Sequence, residues 1–258
     1  MRAHQRHRSQ RTQNWRGGFN LPKRYLSLQD ARIGYYARLD TGAAALDQFT
    51  GNGSQDGTLT NGATRTNDGG LAYSLDGSND FIQLPAITMP TNGLSVAAWV
   101  KITANRATLF SFASQDANLR VWNVGTTGSR VPYFQIPLAT GYWFASGSGT
   151  ALTAGTFAHL AFSFDRASST AKIYVNGVDA TPTISGASTA AWTAPVGNPT
   201  IGRALSTYSD TLVDDWIFFD RAITATEAAQ LATARGAAYE EIASSAIIMA
   251  SHMAVLGA

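Results

Sequence analysis

The chain has 258 residues, of which only 14% are charged, 24 are glycine and none is cysteine. This length permits one all-β domain of ordinary size, and the composition suits short strands joined by tight turns rather than a helical bundle. The absence of cysteine excludes disulfides, thiolate catalysis and zinc sites built on cysteine.

The net charge of +2 conceals a basic N-terminus. Residues 1–24 contain seven of the 19 Lys and Arg and no acidic residue, which leaves twelve basic against 17 acidic side chains in the rest. We expect residues 1–30 to be an arm that contacts other protein subunits or, because arginine-rich arms neutralise phosphates, nucleic acid. A solvated tail is the alternative. The arginines assigned to assembly contacts are Arg2, Arg6, Arg8, Arg11 and Arg16.

The arm does not resemble a secretory signal, since its basic start leads to Gly17-Gly18-Phe19-Asn20 instead of an apolar segment. No stretch of the sequence approaches the ~20 apolar residues of a membrane span. We therefore expect neither a signal peptide nor a membrane partner.

Short strands dominate the sequence after the arm. Extended patterns bounded by turn residues occur at residues 33–37, 58–59, 71–75, 81–84, 94–100, 108–112, 119–124, 133–138, 142–145, 200–203 and 211–219. Many short strands without intervening helices predict a sandwich or jelly roll.

The clearest single pattern is a hairpin at residues 157–177. Leu160, Phe162 and Phe164 recur at every second residue, which is the period of a strand with one buried face. Polar turn residues follow, and a second strand ends at Asn176-Gly177. A hairpin with strands this long requires a broad sheet around it.

One helix is predicted near the C-terminus. Thr224 and Glu227 have the spacing of a capping box, and residues 225–234 are mostly strong helix formers. Arg235 suits the C-terminal end of this helix, and Gly236 suits its termination.

Several segments in order resemble the laminin G-like, concanavalin A-like domain family. They are residues 75–81 (LDGSNDF), 94–101 (LSVAAWVK), 173–177 (IYVNG), 201–203 (IGR), 213–218 (VDDWIF) and 220–227 (DRAITATE), with residues 51–59 similar to the family's opening loop. The resemblance implies an all-β fold, a two-sheet antiparallel β-sandwich of the concanavalin A-like jelly-roll type. We assign residues 31–235 to it, between the arm and a C-terminal extension at 236–258.

The most distinctive polar feature of the predicted strands is the pair of adjacent carboxylates at Asp214 and Asp215. Strand alternation would send them to opposite faces, so that one is buried and requires a partner. The resemblance implies a structural calcium, for which Asp47, Asp56 or Asn52 would supply further oxygen ligands. Alternatively, these carboxylates cap turns and accept backbone hydrogen bonds.

Catalysis is not expected. In the family that this chain resembles, the members that cleave sugars carry a Glu-x-Asp-x-x-Glu strand, and this sequence contains no such motif. Its glutamates are Glu227, Glu240 and Glu241. His159 lies within a predicted strand, where a histidine is more often structural than a general base.

Two regions remain as candidate contact surfaces. Trp143 and Trp192 are candidates for stacking on sugar rings, although aromatic side chains more often serve core packing. The apolar C-terminal extension is predicted to dock on a partner subunit, through Ile247, Ile248 and Met249.

Two functions fit these features. The first is a non-catalytic structural subunit of a larger assembly, such as the shell of a phage or virus particle, formed by copies of this chain and anchored by its terminal extensions. The second is a carbohydrate-binding or adhesion lectin at a bacterial cell surface or outside the cell, with glycans as partners and calcium as a cofactor.

Overall fold

The computed structural model of the protein describes residues 33–38, 46–47, 57–68, 71–86, 90–103, 107–112, 123–138, 141–146, 151–181, 184–185, 198–233 and 235. Most of these residues lie in strands. In chain order the strands are β1 (Ile33–Arg38), β2 (Leu46–Asp47), β3 (Thr58–Thr60), β4 (Thr64–Asn67), β5 (Leu71–Asp76), β6 (Phe81–Gln83), β7 (Gly93–Ile102), β8 (Thr108–Phe112), β9 (Asn123–Thr126), β10 (Pro132–Leu138), β11 (Gly141–Ser146), β12 (Phe157–Asp165), β13 (Thr170–Val175), β14 (Val178–Asp179), β15 (Ile184–Ser185), β16 (Pro199–Ile201), β17 (Arg203–Ala204), β18 (Thr207–Tyr208) and β19 (Asp210–Phe219).

The strands form two large sheets and one small hairpin. The nine-stranded sheet has the order β14-β13-β12-β7-β19-β1-β2, with β5 also paired to β19 and β4 paired to β5. The eight-stranded sheet has the order β15-β11-β10-β9-β8-β16-β6-β3, and β17 pairs with β18. Neighbouring strands run antiparallel throughout these described sheets, which confirms the predicted all-β sandwich.

A large apolar cluster fills the space between the two sheets. The predicted alternation in β12 is confirmed, because Leu160, Phe162 and Phe164 all belong to this cluster and are almost completely buried. Trp216 of the nine-stranded sheet donates its indole N–H to the backbone carbonyl of Leu109 in the eight-stranded sheet. This bond satisfies the one polar atom of a buried tryptophan and links the two layers.

The other face of the nine-stranded sheet carries the single described helix, α1 (Ala225–Leu231). Small residues of the sheet, Ala97 and Ala161, allow close approach, and Ala228 and Leu231 of the helix join them in a second apolar cluster. The predicted N-terminus is confirmed: the Thr224 hydroxyl accepts from the Glu227 N–H, and the Glu227 carboxylate accepts from the Thr224 N–H.

The predicted C-terminal end of the helix was wrong. The helix ends at Leu231 instead of continuing to residue 234, and no basic residue lies in its last turn. Arg235 contacts the sheet instead, because the Asp214 carboxylate and a backbone carbonyl there offer stronger partners than the helix end.

The segment LDGSNDF positions a turn next to the eight-stranded sheet. The Asp80 carboxylate is buried and accepts from the backbone N–H groups of Gly62, at 2.7 Å, and Asp76, at 3.2 Å. These bonds join the turn between β5 and β6 to the turn between β3 and β4. A buried carboxylate requires such donors, so Asp80 has a structural role in this segment.

Candidate functional site

Strand register aligns a row of eight positions across the eight-stranded sheet, and seven of them are uncharged polar residues while one is phenylalanine. Phe134 and Ile136 of β10 belong to the core, so alternation places Gln135 on the opposite, outer face. Strand pairing then aligns one residue from each strand with Gln135. From one edge of the sheet to the other, the row is Thr58, Gln83, Thr200, Ser111, Asn123, Gln135, Phe144 and Ser185.

The row differs in accessibility along its length. Thr200 and Ser111, in the middle, are fully buried; the Thr200 hydroxyl donates to the Arg203 carbonyl at 2.8 Å and lies 3.2 Å from the Ser111 carbonyl. Gln83 is half-buried, and its amide donates to backbone carbonyls at the start of β16. Gln135 is half-buried, so part of its side chain reaches the outer face of β10.

Sequence analysis did not find this row. No local motif marks it, because its members come from eight strands spread over the chain, and they become neighbours only through the strand register. The available signal was the repeated appearance of Thr, Ser, Asn and Gln, rather than Lys or Glu, between apolar residues of the strands.

The predicted sugar-stacking residues are not brought together by the described structure. Trp143 lies in β11 directly opposite Ile136, whereas Phe144 lies opposite Gln135. By register, Trp143 is therefore aligned with a core residue and not with the polar row. Trp192 lies outside the described residues, and stacking by either tryptophan stays a prediction.

Asp214 and Asp215 lie at a bulge in β19. Asp214 pairs with Trp99 of β7, but Ile217 pairs with Ala97, so β19 contains one extra residue at this point. Asp215 has the left-handed φ of 46° that such a bulge needs. Both carboxylates are buried, where the alternation in the sequence led us to expect one buried side chain.

The Asp214 carboxylate is held by protein donors on both oxygens. Its Oδ1 accepts from the backbone N–H of Asp215 at 2.8 Å, and its Oδ2 accepts from Arg235 at 3.2 Å. The Arg235 guanidinium also donates to the Asp68 carbonyl and lies 3.6 Å from the centre of the Phe157 ring. The pair therefore anchors the chain after α1 to the outer face of the nine-stranded sheet.

Burial raises the pKa of Asp214 to about 7, and the neighbouring charge of Asp215 acts in the same direction. The Arg235 guanidinium and the N–H of Asp215 oppose this shift without cancelling it. A carboxyl with this pKa is partly protonated near neutral pH, which makes it a titrating contact rather than a permanent ion pair.

Calcium at this position stays a prediction. Asp47, the last residue of β2, pairs with Ala37 of β1, and Ala37 also pairs with Trp216 of β19. Asp47 therefore lies two strands away from the bulge, at the same level of the sheet. Asp56 and Asn52 lie outside the described residues. Within the described part of the chain, no three His, Asp or Glu side chains form a group that could hold a metal ion, and Asp214 is already engaged by Arg235.

His159 lies beside Trp99 on the same outer face, with ring centres 5.4 Å apart in an edge-to-face arrangement. Burial lowers the pKa of His159 to about 3, so the imidazole is neutral at physiological pH. The backbone N–H of His159 donates to the Asn176 side chain, which terminates the hairpin. This environment agrees with the structural role expected for His159.

The predicted assembly contacts lie outside the described residues: Arg2, Arg6, Arg8, Arg11 and Arg16 in the arm, and Ile247, Ile248 and Met249 in the C-terminal extension. Their contacts with partners stay predictions. In the described part of the chain, no helix has the length and apolar character needed to cross a membrane.

The two packed antiparallel sheets define a concanavalin A-like β-sandwich. A sequence profile described as the concanavalin A-like lectin/glucanases superfamily, Laminin_G_3, matches residues 76–229. That match covers more than half of the chain, and the chain therefore belongs to the laminin G-like family of this superfamily. Among curated proteins, none matches the sequence.

Solved structures share the fold at low sequence identity. The binding domain of Paraclostridial Mosquitocidal Protein 1 has a TM-score of 0.60 at 10% identity, over 78% of this chain and 51% of that one. The botulinum neurotoxin serotype G binding domain has a TM-score of 0.55 at 14% identity, over 78% and 50%. Domain 4 of AbnA, an extracellular arabinanase from Geobacillus stearothermophilus, has a TM-score of 0.52 at 19% identity, over 78% and 98%.

This chain thus spans about half the length of the toxin binding domains but nearly the whole length of the arabinanase domain. The neighbours are mainly binding domains. At these identities they establish the fold alone.

Proposed function

We propose that the protein is a non-catalytic carbohydrate-binding module, and that a glycan binds the outer face of the eight-stranded sheet around β9, β10 and β11. The observation that carries this proposal is the uncharged polar row. Its half-buried member Gln135 lies in register with Asn123 on one side and Phe144 on the other.

The chemistry of these positions suits a neutral sugar. An amide side chain provides both a donor and an acceptor, so it can bind two neighbouring hydroxyl groups without the cost of desolvating a charge. A small number of placed polar groups beside an apolar surface is the usual composition of a site for a small ligand.

The fold neighbours support the proposal by analogy. Domain 4 of AbnA was solved in complex with arabinotriose, and that domain corresponds to this chain over 98% of its length. Fold likeness alone does not transfer a ligand, so the proposal depends on the polar row and is tested there.

The experiment is a glycan array followed by calorimetry on the full chain, with Gln135→Leu as the test variant. We expect the wild type to bind at least one glycan, and Gln135→Leu to lose about tenfold or more in affinity, because a buried sugar hydroxyl would lose its partner. The matched control is Gln230→Leu, which removes an exposed amide from α1 on the other sheet. Silence of the array, or equal affinity of Gln135→Leu and wild type, would refute the proposal.

A second candidate is a structural subunit of a larger assembly, such as a virus particle, built from copies of this chain. The observation that favours it is the charge asymmetry, with seven basic and no acidic residues in positions 1–24. Imaging of the native assembly tests it directly. Particles that contain ordered copies of the chain would support it. A chain that stays monomeric when purified, and whose two ends are protease-sensitive in its native setting, would contradict it.

A further inference from the structure

The β17–β18 hairpin presents an arginine without an acidic partner. Arg203 pairs in register with Tyr208, and its guanidinium carbon lies 4.1 Å from the centre of the Phe81 ring. The Phe81 and Tyr208 rings lie 6.5 Å apart. We name these three residues the Arg203 cluster. Among the residues that the structure describes, no carboxylate forms an ion pair with Arg203, and its buried Nε has no hydrogen-bond partner.

The backbone beneath the cluster is fixed. Gly202 has a φ of +88°, and a Cβ there would lie 2.3 Å from Leu75 Cδ1, so the chain passes a core side chain at a point that admits only glycine. The Gly202 N–H donates to the Thr108 carbonyl, and the Thr200 hydroxyl donates to the Arg203 carbonyl. Arg203 is therefore held by a hydrogen-bonded backbone, which lowers the entropy lost when it binds a ligand.

Two acidic residues close to the hairpin in the described structure, Asp80 near Gly202 and Asp210 just after β18, have other partners. Asp80 accepts from the backbone N–H groups of Gly62 and Asp76. Asp210 accepts from the Thr103 hydroxyl. The positive charge of Arg203 thus remains for a ligand, while the Phe81 ring holds the guanidinium plane in place.

The cluster lies on the same face as the polar row. Ile82 belongs to the core, so alternation places Phe81 and Gln83 together on the outer face of β6. Gln83 is a member of the row, and the Arg203 cluster therefore borders the row on the β6 side. The tip of the hairpin is accessible, since Leu205 is among the few exposed large apolar residues of the described chain.

We propose that the Arg203 cluster is a subsite for the carboxylate of an acidic sugar, such as a uronic or sialic acid. A planar guanidinium binds a carboxylate through two parallel hydrogen bonds. The buried Phe81 ring supports the guanidinium from behind, and the hydroxyl of the half-buried Tyr208 offers a donor and acceptor for a sugar hydroxyl. This inference rests on the proposed glycan-binding function and adds a ligand class to it.

The test is calorimetry with four probes on the full chain at fixed ionic strength. Galacturonic acid trimer and sialyllactose represent the two sources of a sugar carboxylate, and galactose trimer and lactose are their neutral counterparts. We expect tighter binding of an acidic probe than of its neutral counterpart. We expect Arg203→Met to reduce affinity for that acidic probe about tenfold or more and to leave the neutral one unchanged.

Two variants complete the design. Arg203→Lys keeps the charge but not the planar pair of donors, so we expect it to restore only a small part of the affinity. Arg166→Met removes an arginine from the turn after β12. This turn lies beside the start of the ten-residue strand β7, whereas the chain leaving the Arg203 hairpin lies beside the end of β7, about 30 Å from that turn. We expect this control to bind like the wild type, and all variants to keep the wild-type melting temperature.

Each outcome is decisive. Equal binding of acidic and neutral probes, or equal losses in Arg203→Met and Arg166→Met, overturns the subsite while the glycan-binding function stands. Failure of the wild type to bind any glycan, on the array or in the titrations, overturns both.

Discussion

At the scale of single residues, Asp214 shows how burial changes the chemistry of a surface-type side chain. Its carboxyl lies at a bulge, beside a second carboxyl and against Arg235. The adjacent acidic pair was evident in the sequence, but its environment was not. The partner that holds Asp214 comes from beyond the helix, and no local spacing rule connects residues 214 and 235.

The raised pKa of Asp214 has a consequence for stability. In the unfolded chain this carboxyl titrates near 3.8, and in the folded chain near 7. Between these values the folded state keeps a proton that the unfolded state has lost, so this group makes the free energy of unfolding fall as the pH rises from about 4 to about 7. Above that window its contribution is constant.

We predict that Asp214→Asn removes this dependence. Relative to wild type, the variant should gain stability across the window by on the order of 2–4 kcal/mol, because each unit of pKa shift corresponds to about 1.4 kcal/mol. Urea unfolding at successive pH values in the presence of a chelator measures the difference. Asp165→Asn, at the half-buried end of β12, is the control. A difference between Asp214→Asn and wild type that does not vary with pH would contradict the assigned pKa.

At the scale of elements, the helix and the β13–β14 turn are fitted to each other. Gly177 has a φ of +77°, and a Cβ there would lie 2.8 Å from the Cα of Ala229 in α1. The sequence predicted the turn from Asn176-Gly177 and the helix from its capping box. It did not predict that they touch, because the two elements are distant along the chain and no charge or periodicity connects them.

We predict that Gly177→Ala destabilises the protein more than Gly155→Ala does. Both glycines have a left-handed φ, which costs an alanine about 1 kcal/mol, but nothing lies within 4 Å of a Cβ at Gly155. Gly177→Ala must also push the helix backbone away, at a further cost of about 1–3 kcal/mol. Thermal or denaturant unfolding gives both values, and equal losses would show that α1 does not pack on this turn.

At the scale of the whole molecule, the strand pattern predicted the fold class, because alternating apolar residues such as Leu160, Phe162 and Phe164 do face the core. The hairpin of β12 and β13 and most other strands lie where the sequence placed them. The outer-face row could not be predicted in the same way. Gln135, Thr200 and Gln83 are unremarkable in their own strands, and only the order of strands in the sheet makes them neighbours.

The account therefore depends on one surface. A nuclear magnetic resonance titration of the isotope-labelled chain, with the strongest glycan from the array, locates binding without assuming any variant. We predict that amide shifts concentrate at residues 123–126, 132–138 and 141–146, and also at residues 203–208 if that glycan is acidic, with no change in α1. Shifts confined to the face that carries α1, or none with any glycan, would contradict the central claim.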